Sequence, residues 1–210
     1  MTCSCEWGDR VPWDDFLPYV LPSVGDVPDV IAAHAVRLAA IEYATVTSEL
    51  KATITLDAQR NVAHYRLKAD DGYSISQLDY VDLGGCQYHP NRDNHGFGRC
   101  NQFTYDQSEG LLFLNPSPSC NEVRGIEVRA VVLPGQDSCF VNRMVYDRHA
   151  ELLANGALMR LYRMKDADWF DMSLAREYER LWRDGMRSVR VISLKGGSSA
   201  PLVMRARRVV

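Results

Sequence analysis

The hydrophobic pattern changes its period twice along the chain, and this order constrains the fold more than any other feature. From Val30 to about Ser48 the chain is alanine-rich, with apolar positions three or four residues apart, which predicts a helix packed on two sides. From Leu50 to Leu133 short apolar runs of period two alternate with turn residues, as in a small β-sandwich or barrel. Helical spacing returns after Tyr146, so the sequence predicts an α+β fold with a β block inserted between helices.

These changes of period divide the chain into four segments. The first mixes large apolar residues with two prolines, which predicts one helical turn at most before Pro22. The last has a glycine-serine hinge and a basic end, which is typical of an extended docking segment. The predicted boundaries are an N-terminal arm at 1–25, a helical domain at 26–49 and 146–188, an inserted antiparallel β domain at 50–145 and a C-terminal docking tail at 189–210.

Composition excludes several classes of protein. The chain has 210 residues, 46% of them hydrophobic, and a net charge of -3, which is too apolar and too weakly charged for an intrinsically disordered protein. No run approaches the roughly 18 consecutive apolar residues of a membrane-spanning helix. The first residues have neither the basic nor the apolar region of a signal peptide. We therefore expect a soluble protein with no membrane partner, made and used inside a cell or in something assembled there.

The six cysteines predict free thiols rather than a disulfide framework. Even cysteine counts indicate such a framework in short secreted chains, whereas cytosolic synthesis keeps thiols reduced. The residues concerned are Cys3, Cys5, Cys86, Cys100, Cys120 and Cys139.

The C-terminal part carries a positive charge that the net value conceals. From Arg187 to the end there are six basic residues and no Asp or Glu, although the pI of about 6.0 gives no overall basic field. This segment could be a nucleic-acid arm, but it lacks interleaved aromatic residues, which favours docking along an acidic protein surface. The candidate partner-binding residues are Lys195, Arg205, Arg207 and Arg208.

Catalytic signatures are missing from the sequence, and one metal-like pattern is present. There is no phosphate-binding glycine loop, no Gly-x-Ser-x-Gly and no His-Glu-x-x-His. Two thiols and two imidazoles, Cys86, His89, His95 and Cys100, could ligate zinc from the polar loop 84–101. A structural zinc site usually has two pairs of closely spaced ligands, but here only Cys86 and His89 are close in sequence. This favours a plain loop, so the sequence predicts no metal and no cofactor.

Two histidines and an aromatic cluster have structural interpretations. His34 is expected in the core or an interface, and His149 in the first turn of its helix. Trp169, Phe170 and Trp182 are expected to pack a helical pair, with base stacking as the weaker alternative.

Segments 103–118, 126–137 and 146–161 carry a resemblance to a known family. Together with Trp169, the run 174–180 and Gly185, they resemble the head-to-tail adaptor proteins of short-tailed phages, including the tail tubular protein A group. The likeness covers roughly residues 30–187. The first thirty residues match nothing in it, and the loop 84–101 is longer and richer in cysteine than the family pattern, so neither inherits a role.

The resemblance implies a structural, non-enzymatic role in the neck of a virion assembled in the host cytoplasm. It implies a homo-oligomeric ring, commonly of twelve subunits, that joins the portal protein to the tail tube or nozzle. Genome DNA would pass through the lumen without specific binding. Small residues on two faces of the predicted helices suit lateral packing in such a ring. The alternatives are another neck or tail connector, or a zinc-binding module or enzyme using the loop 84–101.

Overall fold

The computed structural model describes residues 10–70, 72–91 and 101–194. Within them four α-helices and a curled mixed sheet of seven strands form an α+β fold, as predicted, together with a separate two-stranded ribbon. The helices are α1 (Leu17–Val24), α2 (Asp29–Thr47), α3 (Arg143–Leu161) and α4 (Met172–Leu194), and a 3-10 helix spans Trp13–Phe16. The strands are β1 (Arg10–Pro12), β2 (Lys51–Ala58), β3 (His64–Arg66), β4 (Tyr73–Leu83), β5 (Cys86–Pro90), β6 (Gln102–Asp106), β7 (Leu111–Asn115), β8 (Glu122–Pro134) and β9 (Phe140–Asn142).

Helices α2, α3 and α4 pack against one another through small residues. At Gly156 of α3 an added Cβ would lie 2.9 Å from the Trp182 ring of α4 and 3.0 Å from Cβ of Ala39 in α2. A glycine inside the helical stripe of 153–164 predicts a close approach of another backbone, and the neighbour at Gly156 proves to be an indole ring. The run 168–171 predicts a turn whose aspartate caps the next helix, and Asp171 caps α4, because its carboxylate accepts the backbone N–H of Ser173 at 2.7 Å.

Residues 10–24 are integral to the helical core, so the predicted arm at 1–25 is wrong for this part. Helix α1 has eight residues and contains Pro22. Pro18 lies in its first turn, where the missing N–H costs nothing, and burial of Val20 and Val24 stabilises the rest. Phe16, fully buried, anchors the same segment.

The sheet has the order β2-β8-β4-β5-β6-β7-β3. Strand β8 lies between β2 and β4, so its residues are buried on the core-facing side, with Ile126, Val128 and Ala130 at 0% exposure. Strands β5 and β6 pair in parallel, whereas the other pairs are antiparallel. The predicted wholly antiparallel arrangement is therefore corrected to a mixed sheet.

Strand β5 lies inside the segment 84–101 that the sequence predicts to be a polar loop. Gly84 and Gly85, with φ of 57° and 85°, form a two-residue hairpin turn that returns β4 into β5. Only Tyr88 is buried in this strand, so the hydrophobic pattern carries too little signal to reveal it.

Helix α4 continues past the predicted start of the tail at residue 189. It runs to Leu194, and Val189 is 7% exposed against the core. The β-branched residues of 189–194 resemble an extended segment, but burial of Val189 extends the helix by more than a turn. Any tail therefore begins after Leu194.

Helix α2 has the length and apolar composition of a membrane-spanning helix. Its most apolar window has a mean hydropathy of 1.2, and half of that window is buried inside the structure. Nine residues of the helix are buried against other parts of the chain, among them Ala32, Val36, Ala39 and Tyr43. This is the pattern of a core helix. By length and composition alone, however, α2 could span a membrane, which the sequence analysis did not expect.

Candidate functional site

Two of the four candidate zinc ligands lie on β5. Cys86 and His89 are both exposed, three positions apart. Because side chains alternate between the two faces of an extended strand, this spacing directs them to opposite faces. His95 and Cys100 lie outside the described residues. Among the residues that are described, no three His, Cys, Asp or Glu side chains are grouped so as to hold a metal ion.

The candidate docking residues Lys195, Arg205, Arg207 and Arg208 also lie outside the described residues. The other two basic residues of that segment, Arg187 and Arg190, are exposed on α4. The positive charge therefore begins on a helix, not on an extended tail.

Three of the six cysteines fall in the described part of the chain. Cys86, Cys120 and Cys139 are free and exposed, as predicted. Cys3, Cys5 and Cys100 lie outside it. His34 is exposed on α2, so it does not lie in the core of the chain, and its position in an interface stays a prediction.

A polar cluster joins the end of α2 to the middle of α3. Ser48, with φ of 52°, ends α2 in the left-handed conformation and places Glu49 just before β2. The Tyr43 hydroxyl donates to Oε2 of Glu49, and Nε2 of His149 lies 3.3 Å from the same oxygen. His149 has non-helical dihedrals inside α3, well beyond the first turn that the sequence predicts.

Sequence reasoning missed this cluster because its members are far apart in the chain. Glu49 and His149 are separated by 100 positions, and neither belongs to a recognisable motif. The change of hydrophobic period at Leu50 marks the junction, but it does not indicate which side chains meet there.

The cluster fixes the ionisation of its carboxyl group. The His149 imidazole, 3.3 Å from Oε2, and the hydrogen bond from the Tyr43 hydroxyl lower the pKa of Glu49, although burial opposes them. Burial, with the Glu49 carboxylate beside it, raises the pKa of Tyr43. Glu49 and His149 side chains are each 17% exposed. The carboxylate is thus held ionised by two partners, an arrangement that fastens α2 to α3 at the start of the sheet.

We expect Glu49→Gln to remove an acid-sensitive part of the stability. A lowered folded-state pKa means that the contribution is present above the unfolded value of about 4.3 and is lost as pH falls through the folded value. The variant should be less stable at pH 7 by about 1–3 kcal/mol, and this difference should shrink below about pH 4. Urea unfolding across this range measures both effects. Glu177→Gln, an exposed carboxyl group on α4, is the control, and an equal effect from it would contradict the role of Glu49.

A groove of about 310 Å³ lies between the β1–β9 ribbon and β2, near the lower limit of small-ligand sites. The Arg10 guanidinium is 3.7 Å from the Asp70 carboxylate and 4.0 Å from the centre of the Phe140 ring. Lys51 at the same groove pairs with Asp79 at 2.6 Å. Arg10 and Lys51 are therefore already paired with carboxylates of the chain itself, so neither is available to bind a ligand in the groove.

Large apolar side chains are exposed mainly on the helices. In the described residues ten such side chains are exposed, and eight of them belong to α1–α4. The eight are Tyr19, Val30, Val46, Met144, Met172, Leu181, Val191 and Ile192.

One flank of α4 combines apolar and small residues. At about 100° per residue, Leu181, Gly185, Ser188 and Ile192 share a side of the helix next to its buried face. Leu181 is 41% and Ile192 58% exposed. The helical spacing puts Leu181 on one face with Trp182 and Met186, and in the structure it lies at the exposed edge of that face. Gly185 approaches α3, where an added Cβ would clash with Leu152.

Comparison with known proteins adds no family assignment. No protein-family model and no curated protein matches the chain.

Proposed function

We propose that the protein is a structural head-to-tail adaptor of a phage virion, acting without catalysis. In this proposal copies of the chain form a ring, of about twelve subunits as in the family it resembles, between a portal protein and the tail tube or nozzle. The virion neck is its location, and genome DNA passes through the lumen.

The element order supports the proposal. Strands β2–β8 occur in the chain between α2 and α3, consistent with a helical bundle that carries an inserted β-sandwich or barrel. In a ring, the bundle would supply the lateral contacts, and the β part would present loops to the neighbouring component. Contacts of this heterologous kind close around an axis when the rotation between subunits permits.

The strongest support for the proposal comes from the exposed apolar residues on the helices. Eight of the ten exposed large apolar side chains lie there, and on α4 Leu181 and Ile192 flank the small residues Gly185 and Ser188. Exposed large apolar side chains on one side of a helix are candidates for an interaction surface, and the small exposed Ser188 between them leaves room for a neighbouring subunit. We infer that this flank of α4 packs against an adjacent subunit.

Native mass measurement of the full chain tests the ring. We expect a species of roughly twelve times the 23.8 kDa chain mass. Leu181→Glu combined with Ile192→Glu should shift the protein to monomer without changing its circular dichroism, because buried unpaired carboxylates are costly in an interface. Val123→Glu, at an 81% exposed position on β8, is the matched control. A wild-type chain that stays monomeric at all concentrations would defeat the proposal.

A further inference from the structure

Five arginines form a straight exposed stripe along α4. Arg176, Arg180, Arg183, Arg187 and Arg190 follow one another at intervals of four, three, four and three residues, so all five lie within about 80° around the helix axis. All five are exposed. At about 1.5 Å per residue, the stripe is roughly 21 Å long. We name it the arginine stripe; it lies on the side of α4 away from Leu181 and Ile192.

The fold neutralises little of this charge. Glu179 pairs with both Arg183 and Arg163, and Asp184 lies 3.4 Å from Arg187. The side chains of Arg183 and Arg187 remain 67% and 79% exposed, and ion pairs so exposed are worth at most about 1 kcal/mol. No ion pair forms within the described residues at the remaining stripe positions, Arg176, Arg180 and Arg190.

The residue type indicates the partner's chemistry. All the basic residues of α4 are arginine and none is lysine. A guanidinium is a planar fork of donors that binds phosphate or carboxylate oxygens in pairs, and it is less strongly hydrated than an ammonium group. A regular row of such groups on one rigid helix matches a rigid polyanion with regularly spaced charges.

Three other anionic partners fit less well. A lipid surface would require exposed apolar residues beside the arginines to insert, but Leu181 and Ile192 lie on the opposite side of α4, and Trp182, Met186 and Val189 are buried in the core. Single-stranded nucleic acid needs several exposed aromatic stacking platforms, but of the aromatic residues on α4 Trp182 is 2% exposed and Tyr178 is partly buried, and the exposed Phe170 lies before the helix begins. An acidic protein surface would favour apolar anchors among the arginines, whereas the exposed Val191 lies only at the edge of the stripe.

We propose that the arginine stripe binds the phosphate backbone of duplex DNA without reading its sequence. Duplex DNA carries one negative charge per about 1.7 Å of its axis, so a 21 Å face meets more phosphates than its five arginines can bind. Because the stripe presents guanidinium groups to phosphates and not to base edges, affinity should depend on salt and not on base sequence. The proposal stands whether or not the chain forms a ring.

The salt dependence of DNA binding provides the test. Fluorescence anisotropy with two labelled duplexes of unrelated sequence, between 50 and 200 mM NaCl, gives the slope of log K against log salt concentration. Arg176→Gln, Arg180→Gln and Arg190→Gln together leave the ion pairs of Glu179 and Asp184 intact, so the fold should be preserved. At about 0.9 per phosphate contact, this triple variant should flatten the slope by about 2.7 relative to wild type.

A matched variant removes the same charge elsewhere. Arg60, Arg66 and Arg129 are exposed in the β part, and changing all three to Gln should leave the slope nearly unchanged. Equal losses in both triple variants would overturn the proposal by showing a general charge effect. A wild-type chain that binds neither duplex would also overturn it, as would tighter binding to a single strand of the same length. Binding of polyglutamate in preference to the duplex would identify an acidic protein partner instead.

Discussion

Trp182→Ala should destabilise the protein by about 3–5 kcal/mol, the cost of truncating a fully buried aromatic residue. The indole joins three helices: its ring lies against Gly156 of α3, and its Nε1 donates to Oε1 of Glu42 in α2 at 3.3 Å. Removing it opens a cavity that helices already in close contact cannot fill by collapse. It also deprives Glu42 of a donor, although the Arg160 guanidinium still binds that carboxylate.

Urea denaturation followed by circular dichroism measures this loss as a lower midpoint with an unchanged slope. Trp182→Phe is the control, because it retains most of the ring volume and should lose markedly less. A loss below about 1 kcal/mol for the alanine variant would mean that the three helices do not depend on this contact.

Phe16→Ala should have a comparable effect, about 3–5 kcal/mol, because the segment before α1 is part of the core. The Phe16 ring is 0% exposed and meets the Tyr146 ring of α3 edge-on at 5.0 Å. Its neighbour Trp13 donates from Nε1 to the Ser138 carbonyl at 2.7 Å, which fixes this segment to the chain before β9. If residues 10–24 formed a detached arm, the substitution would leave the free energy of unfolding unchanged.

Tyr19→Ala provides the comparison within the same segment. Tyr19 is 41% exposed and also meets Tyr146 edge-on, at 6.1 Å. It buries far less area, so its loss should cost about 1 kcal/mol or less. Similar losses at positions 16 and 19 would contradict the burial difference on which the prediction depends.

The sequence predicted the α+β class from its changes of period, which depend on local spacing alone. The capping of α4 by Asp171 was equally local and is confirmed. Strand β5 escaped prediction because only Tyr88 is buried in it, and its neighbours β4 and β6 supply the pairing. Helix α1 was not predicted because its two prolines disfavour a helix. Burial of Val20 and Val24, which stabilises it, is known only from the structure.

The candidate sites also divide into those that depend on local spacing and those that depend on contacts between distant parts of the chain. The cluster of Tyr43, Glu49 and His149 depends on contacts across 100 positions, which no local pattern encodes. The spacing of the arginines predicts that they share one side of a helix. That this side is exposed follows only from the structure, in which Trp182 and Met186 define the buried side of α4. The four candidate zinc ligands were grouped by spacing without strand geometry, and on β5 that geometry directs Cys86 and His89 to opposite faces.

The position of β8 in the middle of the sheet governs the order in which the chain can fold during synthesis. Within the described residues strand β2 has β8 as its one pairing partner, and Lys51 meets Val131 about 80 residues later. At about 5–20 residues per second, a ribosome needs roughly 4–16 s to make the missing partner. Throughout that interval β2 is an unpaired strand with apolar residues on one side. A nascent chain is therefore most open to aggregation or to chaperone binding before β8 emerges, and substitutions in β8 should lower the yield of folded protein more than those in β3.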